Sequence, residues 1–341
     1  MKKLCSVLLV LCLLLCACGV AEPKPTEAPS TTVPTTAEKI PVTTAPVTEP
    51  DDHQQTASSI SPLLYKVTDA DGNTAWLFGS IHVGQDYFYP LPDYVTDAYE
   101  NADALAVEFD AVAFSKNLKA QTEAMSKLVY MDGTKISDHI PEELYNRGVE
   151  VLEECNTYMS LLDMYCPVLW FSLIESAQLE AFDVDTQLGI DMHFLNDAHD
   201  TDKEIQDVES ADFQYSMMAS FSEALQIELL EGALYSYDHP EESEAELMAL
   251  IEAWATGNED DLVALLNEEQ TFESEEEALL YAEYNDAMLT QRNISMADFA
   301  EDSLTSGKEV FICVGAAHIV GPGAMADLLS QRGYTVEQIK A

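Results

Sequence analysis

Positive charge is scarce in this chain. Lys and Arg number 15 against 62 Asp and Glu, a formal net charge of −47. A surface so negative repels phosphate backbones and anionic headgroups, which argues against nucleic acid and against an electrostatic hold on lipid. Its plain meaning is solubility outside the cell. Cysteine is thin as well. Four of the seven (Cys5, Cys12, Cys16, Cys18) lie in the first 18 residues, leaving Cys155, Cys166 and Cys313. That number is odd and no Cys-x-x-Cys pair occurs, so neither a disulfide framework nor a thiolate zinc site is signalled. Buried free thiols are expected, with a Cys155–Cys166 bridge left open. There is no Gly-x-Ser-x-Gly elbow, no Gly-rich phosphate loop or dinucleotide fingerprint, and no His-Glu-x-x-His helix. Serine esterases of the usual α/β type, kinases, dehydrogenases and zincins therefore have no support.

Long apolar runs are missing too. Leu4 to Leu15, behind the basic Met1-Lys2-Lys3, is too short to span a bilayer and reads as a secretory signal. It ends in Leu15-Cys16-Ala17-Cys18, which resembles a bacterial lipobox with Cys18 as the lipidated residue. Residues 1–18 are thus expected to be a lipoprotein signal peptide. Residues 19–60, rich in Pro, Thr, Ala and Glu, cannot bury enough apolar surface to offset ordering and are expected to form an extended spacer. The expected location is the bacterial cell surface, lipid-anchored to the outer face of the cytoplasmic membrane, or secreted if the lipobox is not used. The membrane is met only through that anchor.

Residues 61–341 carry the globular part, and 47% hydrophobic residues suffice for a core. Strands are expected over 63–67, 74–78, 104–109, 204–208, 309–314 and 334–339, with a turn at 69–73. Helices are expected near 94–101, 112–129, 141–155, 158–181, 187–199, 211–235, 243–256, 259–268, 273–303 and 323–332, from apolar spacings of three and four. The ends supply most strands and the middle supplies the helices. That pattern implies an α/β (α+β) domain, its central sheet built from N- and C-terminal strands, with a large helical insertion over about 111–303 as a cap.

Two stretches share a signature: Trp76-Leu77-Phe78-Gly79-Ser80-Ile81-His82 and Phe311-Ile312-Cys313-Val314-Gly315-Ala316-Ala317-His318. Each is an apolar run, then Gly-x-x-His. Only seven histidines exist, and two occupy matched strand-to-loop positions. If the strands are neighbours, both imidazoles emerge at the carboxyl edge of one sheet, where α/β proteins bind ligands. Gly79 and Gly315 permit a sharp bend or a close approach. Glu108 ends a third apolar strand. Two imidazoles and a carboxylate make a sensible ligand set for a divalent ion with open positions. The plain alternative is that each His is held in its loop and that Glu108 pairs with Arg292. His53, His139, His193, His199 and His239 lack a metal-ligand pattern. Tyr87, Phe88 and Tyr89 either wall the cleft or pack. Asp191 either hydrogen-bonds an imidazole or sits at a helix N-terminus favoured by the dipole.

Gly79-x-x-His82, Val107-Glu108, Gly189-Ile190-Asp191, Lys203 to Glu209, Gln291-Arg292-Asn293 and Gly315-Ala316-Ala317-His318 with Gly321, in that order, resemble the TraB/PrgY/GumN family, which includes the Tiki metalloproteases. The resemblance runs from about Leu63 to Ile339. Asp202 where Gly often precedes the Lys, and Val208-Glu209-Ser210 where Leu-Glu-Thr is common, depart from the pattern. The resemblance implies a surface-tethered metal-dependent hydrolase, a peptidase acting on a peptide or protein substrate. His82 and His318 would be metal ligands and Glu108 a ligand or general base. Manganese or cobalt would be the ion, with zinc as an alternative. Arg292 would join the site, holding a substrate carboxylate or a developing oxyanion, and Asp191, Gly79 and Gly315 would support it. The alternative is a non-catalytic peptide- or ligand-binding lipoprotein, for instance one that sequesters a pheromone. Oligomeric state is left open.

Overall fold

The structure, a computed structural model, describes residues 59–266, 272 and 274–340. The leader, Cys18 and the spacer as far as residue 58 lie outside the described residues.

Six strands form one sheet: β1 (Leu64–Thr68), β2 (Thr74–Ser80), β3 (Ala104–Val107), β4 (Glu204–Asp207), β5 (Val310–Gly315) and β6 (Thr335–Ile339), in the order β4-β3-β5-β2-β1-β6. β4, β3, β5 and β2 run parallel, while β1 is antiparallel to both β2 and β6. All four residues of β3 and the first five of β5 are buried. Continuous apolar runs of this kind suit parallel strands covered on both faces. The edge strands β4 and β6 hold no buried residue.

The expected strands occur to within two residues at each end. The insertion, however, is more than a cap: β4 arises inside 111–303 and joins the sheet edge beside β3. Four expected helices are divided. The stretch 112–129 becomes Ala111–Ser115 and Leu118–Ser126, and 211–235 becomes Ala211–Ala219 and Glu223–Asp238, where Asn117 and Ser222 each cap a new helix by accepting from a backbone N–H. The stretch 158–181 becomes a 3₁₀ turn, Ser160–Met164, and a helix, Pro167–Ala181. Pro167 opens that helix because a proline lacks the N–H that a helix interior requires, whereas the first turn leaves N–H groups unbonded anyway. The stretch 273–303 becomes Glu275–Asn285 and Gln291–Ser306, joined by a π turn, Asp286–Thr290.

Register positions the site. Phe78 lies opposite Cys313 and Ser80 opposite Gly315 across β2 and β5, and Val107 lies opposite Cys313 across β3 and β5. β2 and β5 therefore finish together, and β3 finishes two residues short of them. Glu108 comes one residue beyond β3, His82 two beyond β2 and His318 three beyond β5, all at the carboxyl edge. An aromatic cluster fixes the cap above that edge. Phe194 of α1 (Ile190–Thr201) meets Phe78 at 5.8 Å and Phe311 at 5.0 Å between ring centroids, and Trp254 of α2 (Pro240–Thr256) meets Phe88 at 5.0 Å. Burying each such ring stabilises by roughly 2–3 kcal/mol. Trp254 Nε1 also donates to the Gly79 carbonyl at 2.7 Å, tying the cap to the first Gly-x-x-His turn. No helix among the described residues is long and apolar enough to cross a membrane.

Candidate active site

The His82 loop is held by backbone. Gly84 and Asp185 exchange N–H···O bonds of 2.8 and 3.0 Å, and Ile190 N–H donates to the Ile81 carbonyl at 2.9 Å. Two glycines permit this approach. A Cβ on Gly84 would meet the Leu188 carbonyl oxygen at 1.9 Å, and one on Gly189 would meet the His82 oxygen at 2.6 Å. Gly189 leads straight into α1, which brings Asp191 behind His82. Asp191 Oδ2 lies 3.2 Å from His82 Nδ1. The contact is an ion-pair distance with poor hydrogen-bond alignment, since Nδ1 and Asp191 Oδ1 both lack a well-directed partner. Burial opposes a charge on His82, but Asp191 foremost, with Glu108, outweighs it and raises the imidazole pKa.

Glu108 is gripped on every side. Its Oε2 accepts from Arg292 Nη2 at 2.6 Å and Gln214 Nε2 at 3.0 Å, and its Oε1 accepts from the Gly315 N–H at 3.0 Å. Arg292 forks onto Glu209 as well, with Nε and Nη2 each 2.8 Å from a Glu209 oxygen. Glu209 is brought there by sheet geometry, for its N–H continues the ladder onto the Glu108 carbonyl at 2.8 Å. Nη1 of Arg292 donates to the Met288 carbonyl at 3.3 Å, within the π turn. Such an extra-residue turn re-aims the following side chains, and here Arg292 and its neighbour Asn293 are both buried toward the site. Burial pushes the Glu108 carboxyl up, but Arg292 foremost, with His318, His82 and the Gly315 N–H, holds it at about 2.

His318 is buried and its tautomer follows from its neighbour. Asn293 Nδ2 donates to the Gly323 carbonyl at 3.1 Å, which fixes the amide so that Oδ1 faces His318 Nδ1 at 2.7 Å. Nδ1 therefore carries the proton and Nε2 presents its lone pair. Burial, then the Arg292 charge, lowers the His318 pKa to about 3.

These groups share one point. A methyl carbon built on Gly315 would lie 3.3 Å from Glu108 Oε1, 3.6 Å from His318 Cδ2 and 4.0 Å from His82 Nε2. His318 Nε2 stands 4.0 Å from Glu108 Oε1. The cavity they enclose, with Ser80, Arg292, Ala316 and Ala317, is roofed by Leu250, Trp254, Leu262 and Leu266 and holds ≈ 20 Å³. That is room for one water or one ion. Among the described residues no group of three or more His, Cys, Asp or Glu is drawn tightly enough to hold an ion as it stands. The donor chemistry nonetheless fits a divalent cation. Each imidazole has an acceptor oxygen at Nδ1, which leaves Nε2 free to ligate, the arrangement of metal-bound histidines. Glu108 and Glu209 share the single Arg292 guanidinium, and Asp191 has the His82 ring as its ion-pair partner, so three carboxyl groups stand against one permanent positive charge.

The expected residues His82, Glu108, Arg292 and His318 are thus brought together, with Asp191 behind His82. Gly79 serves as a close-approach point, a Cβ there falling 2.9 Å from Ala316 Cα. The pairing of Glu108 with Arg292, foreseen as the plain alternative, is present alongside the convergence of the histidines. Cys18 lies outside the described residues. Tyr87, Phe88 and Tyr89 do not line the cavity: Phe88 is fully buried against Trp254, and Tyr89 packs at a tilt against His193 while its hydroxyl donates to the Leu188 carbonyl at 2.8 Å. His139 pairs with Glu223 and His199 with Asp110, both away from the cavity. Cys155, Cys166 and Cys313 are free thiols. Sequence reasoning missed Asn293, Glu209 and Gln214 as partners of the site. Asn293 adjoins Arg292 in the chain, but helical spacing alone does not signal that two successive residues of Gln291–Ser306 are both buried against the site.

Residues 63–338 match the sequence model of the TraB/PrgY/gumN family. An uncharacterized protein, YbaP, of Escherichia coli (strain K12) is 26% identical over 255 residues, covering 74% of this chain and 86% of that protein. YbaP of Shigella flexneri matches to the same extent, 26% over 255 residues. No solved structure matches.

Proposed function

The chain belongs to the TraB/PrgY/gumN family, and from that membership and the geometry above we propose that it is a metal-dependent hydrolase acting on a peptide bond. The observation that carries the reading is the meeting of two imidazoles and one carboxylate oxygen around a cavity sized for a single ion or water, with an acceptor oxygen behind each ring. His82 Nε2 and His318 Nε2 would hold the ion. A divalent ion there would polarise the scissile carbonyl and make a bound water acidic near neutral pH.

The chain's own groups have separable tasks. Asn293 and Asp191 orient the two rings. Arg292, Gln214 and the Gly315 N–H hold Glu108 in one orientation, and Oε1 faces the cavity, where it accepts a hydrogen bond from an entering water. A carboxylate so heavily solvated by donors aligns a water better than it stores a proton. Arg292, with Nε and Nη2 committed to Glu108 and Glu209, acts by positioning Glu108. The leader and spacer read from the sequence would tether this activity to the cell surface through Cys18.

The test is to strip the protein with chelator, titrate manganese, cobalt and zinc by calorimetry, and follow cleavage of a quenched-fluorescence peptide library. One ion per chain, lost in His82→Ala and His318→Ala, with metal-dependent cleavage, is expected. Binding of an ion without cleavage of any peptide would leave a ligand-binding module and refute the hydrolase; no binding would remove the metal reading altogether.

A further inference from the structure

One polar group on the cavity wall has no task in the scheme above. Ser80 ends β2 opposite Gly315 and is 1% exposed. It lines the same cavity as His82, Glu108 and His318. Its Oγ is buried with no nitrogen or oxygen partner among the described residues. The Cys313 thiol is close enough to feel it, but sulfur is a weak partner. A hydroxyl buried without a good partner is costly, and native interiors keep few of them.

Of the other side-chain donors around this cavity, His82 turns Nδ1 to Asp191 and would give Nε2 to the ion, and the rest are largely committed. Arg292 spends Nε and Nη2 on two carboxylates and Nη1 on the Met288 carbonyl. Trp254 Nε1 is held by the Gly79 carbonyl and His318 Nδ1 by Asn293. Four of the five guanidinium N–H groups are thereby spent before any substrate arrives, so Arg292 has one N–H at most for a developing oxyanion and a second donor is to be sought. Glu108 can only accept, which suits a water. A hydroxyl can donate, which suits a carbonyl oxygen gaining negative charge.

We propose that the Ser80 hydroxyl donates a hydrogen bond to the carbonyl oxygen of the scissile peptide bond as it becomes an oxyanion in the His82–Glu108–His318 cavity. This rests on the hydrolase reading. No bond to Ser80 forms or breaks; its proton stays on Oγ and only the hydrogen bond strengthens toward the transition state.

The experiment compares Ser80→Ala and Ser80→Thr with wild type in the full chain loaded with manganese. Ser80→Ala should lower kcat about 100-fold on a cleaved peptide, with KM, melting temperature and manganese stoichiometry unchanged, and Ser80→Thr should recover most of it. A wild-type kcat in Ser80→Ala, or a loss confined to manganese affinity, overturns the proposal. If Ser80→Ala fails to fold, Ser80→Thr alone decides through its kcat against that of Ser80→Cys, whose thiol is a poor donor; equal values overturn it. If wild type cleaves no peptide, the hydrolase reading fails separately. The hydroxyl's role is then read from a crystal of the manganese-loaded chain. An ordered oxygen within about 3.2 Å of Ser80 Oγ supports donation into the cavity, and an Oγ directed only at Cys313 Sγ overturns it.

Discussion

Replacing Arg292 with Met should unbalance the site in a way that pH exposes. Arg292 is 2% exposed by side chain and is shared by Glu108 and Glu209, themselves 6% and 5% exposed. Methionine keeps much of the apolar stem but leaves two buried carboxylates beside each other with only Gln214 and a backbone N–H for support. Two routes give the size of the effect. The Glu108 carboxyl titrates at about 2 in the fold against an ordinary 4.5, a gap of roughly 2.5 pH units and so about 3 kcal/mol. Removing one partner of a buried ion pair independently costs ~3–5 kcal/mol. The sign follows from the depressed value. In wild type this stability is present above pH 4.5 and is lost as pH falls from there toward 2. In Arg292→Met the carboxyl is no longer held down, so acidification relieves the variant while it weakens wild type. Urea denaturation followed by circular dichroism, in chelator, should give a deficit of about 3 kcal/mol or more at pH 7 that shrinks steadily below pH 4.5. Adding Glu108→Gln and Glu209→Gln should recover much of it. A deficit under ~1 kcal/mol at pH 7, or one equal at pH 7 and pH 3.5, would refute the claim that Arg292 is there to neutralise buried charge.

Three further outcomes are expected. Glu175, buried on Pro167–Ala181 with Oε2 unpartnered, is pushed by burial to about 8, so the fold keeps a proton that the unfolded chain releases above pH 4.5; Glu175→Gln should match wild type at pH 4 and exceed it by on the order of 3–5 kcal/mol at pH 8, and equal thermal stability at both pH values would contradict this. Asn293→Ala removes the acceptor from His318 Nδ1; long-range ¹H–¹⁵N NMR should find a single Nδ1–H tautomer in wild type and a mixture in the variant, with an unchanged tautomer counting against the assignment. Gly84→Ala drives a methyl onto the Leu188 carbonyl and should cost about 1–3 kcal/mol in urea denaturation, whereas a neutral result would mean that the His82 loop is not pinned there.

The strands and most helices could be read directly because burial leaves a strong imprint on composition. Val310–Gly315 is buried nearly throughout, and its apolar run says so. Where helices broke differently, the cause was local and visible afterwards, as with Pro167, or invisible in composition, as with the π turn at Asp286–Thr290. β4 was readable as a strand, but its place at the sheet edge was not, since pairing is decided by neighbours far along the chain.

From the order of its residues alone, this chain determined that two Gly-x-x-His turns follow two apolar strands and that an acid follows a third; hydrophobic patterning and the conformational freedom of glycine act over a few residues and need no distant partner. Only the tertiary structure decided that β2, β5 and β3 stand side by side in a register that ends them within two residues of one another. The same folding gave Glu108 and Glu209 one guanidinium between them, set Asp191 and Asn293 behind the two imidazoles, and put Ser80 in the lining of the cavity between them. Those relations depend on strand pairing and on buried charges finding counter-charges across 184 positions of chain in the case of Glu108 and Arg292, and such long-range balances are struck only when the whole core closes.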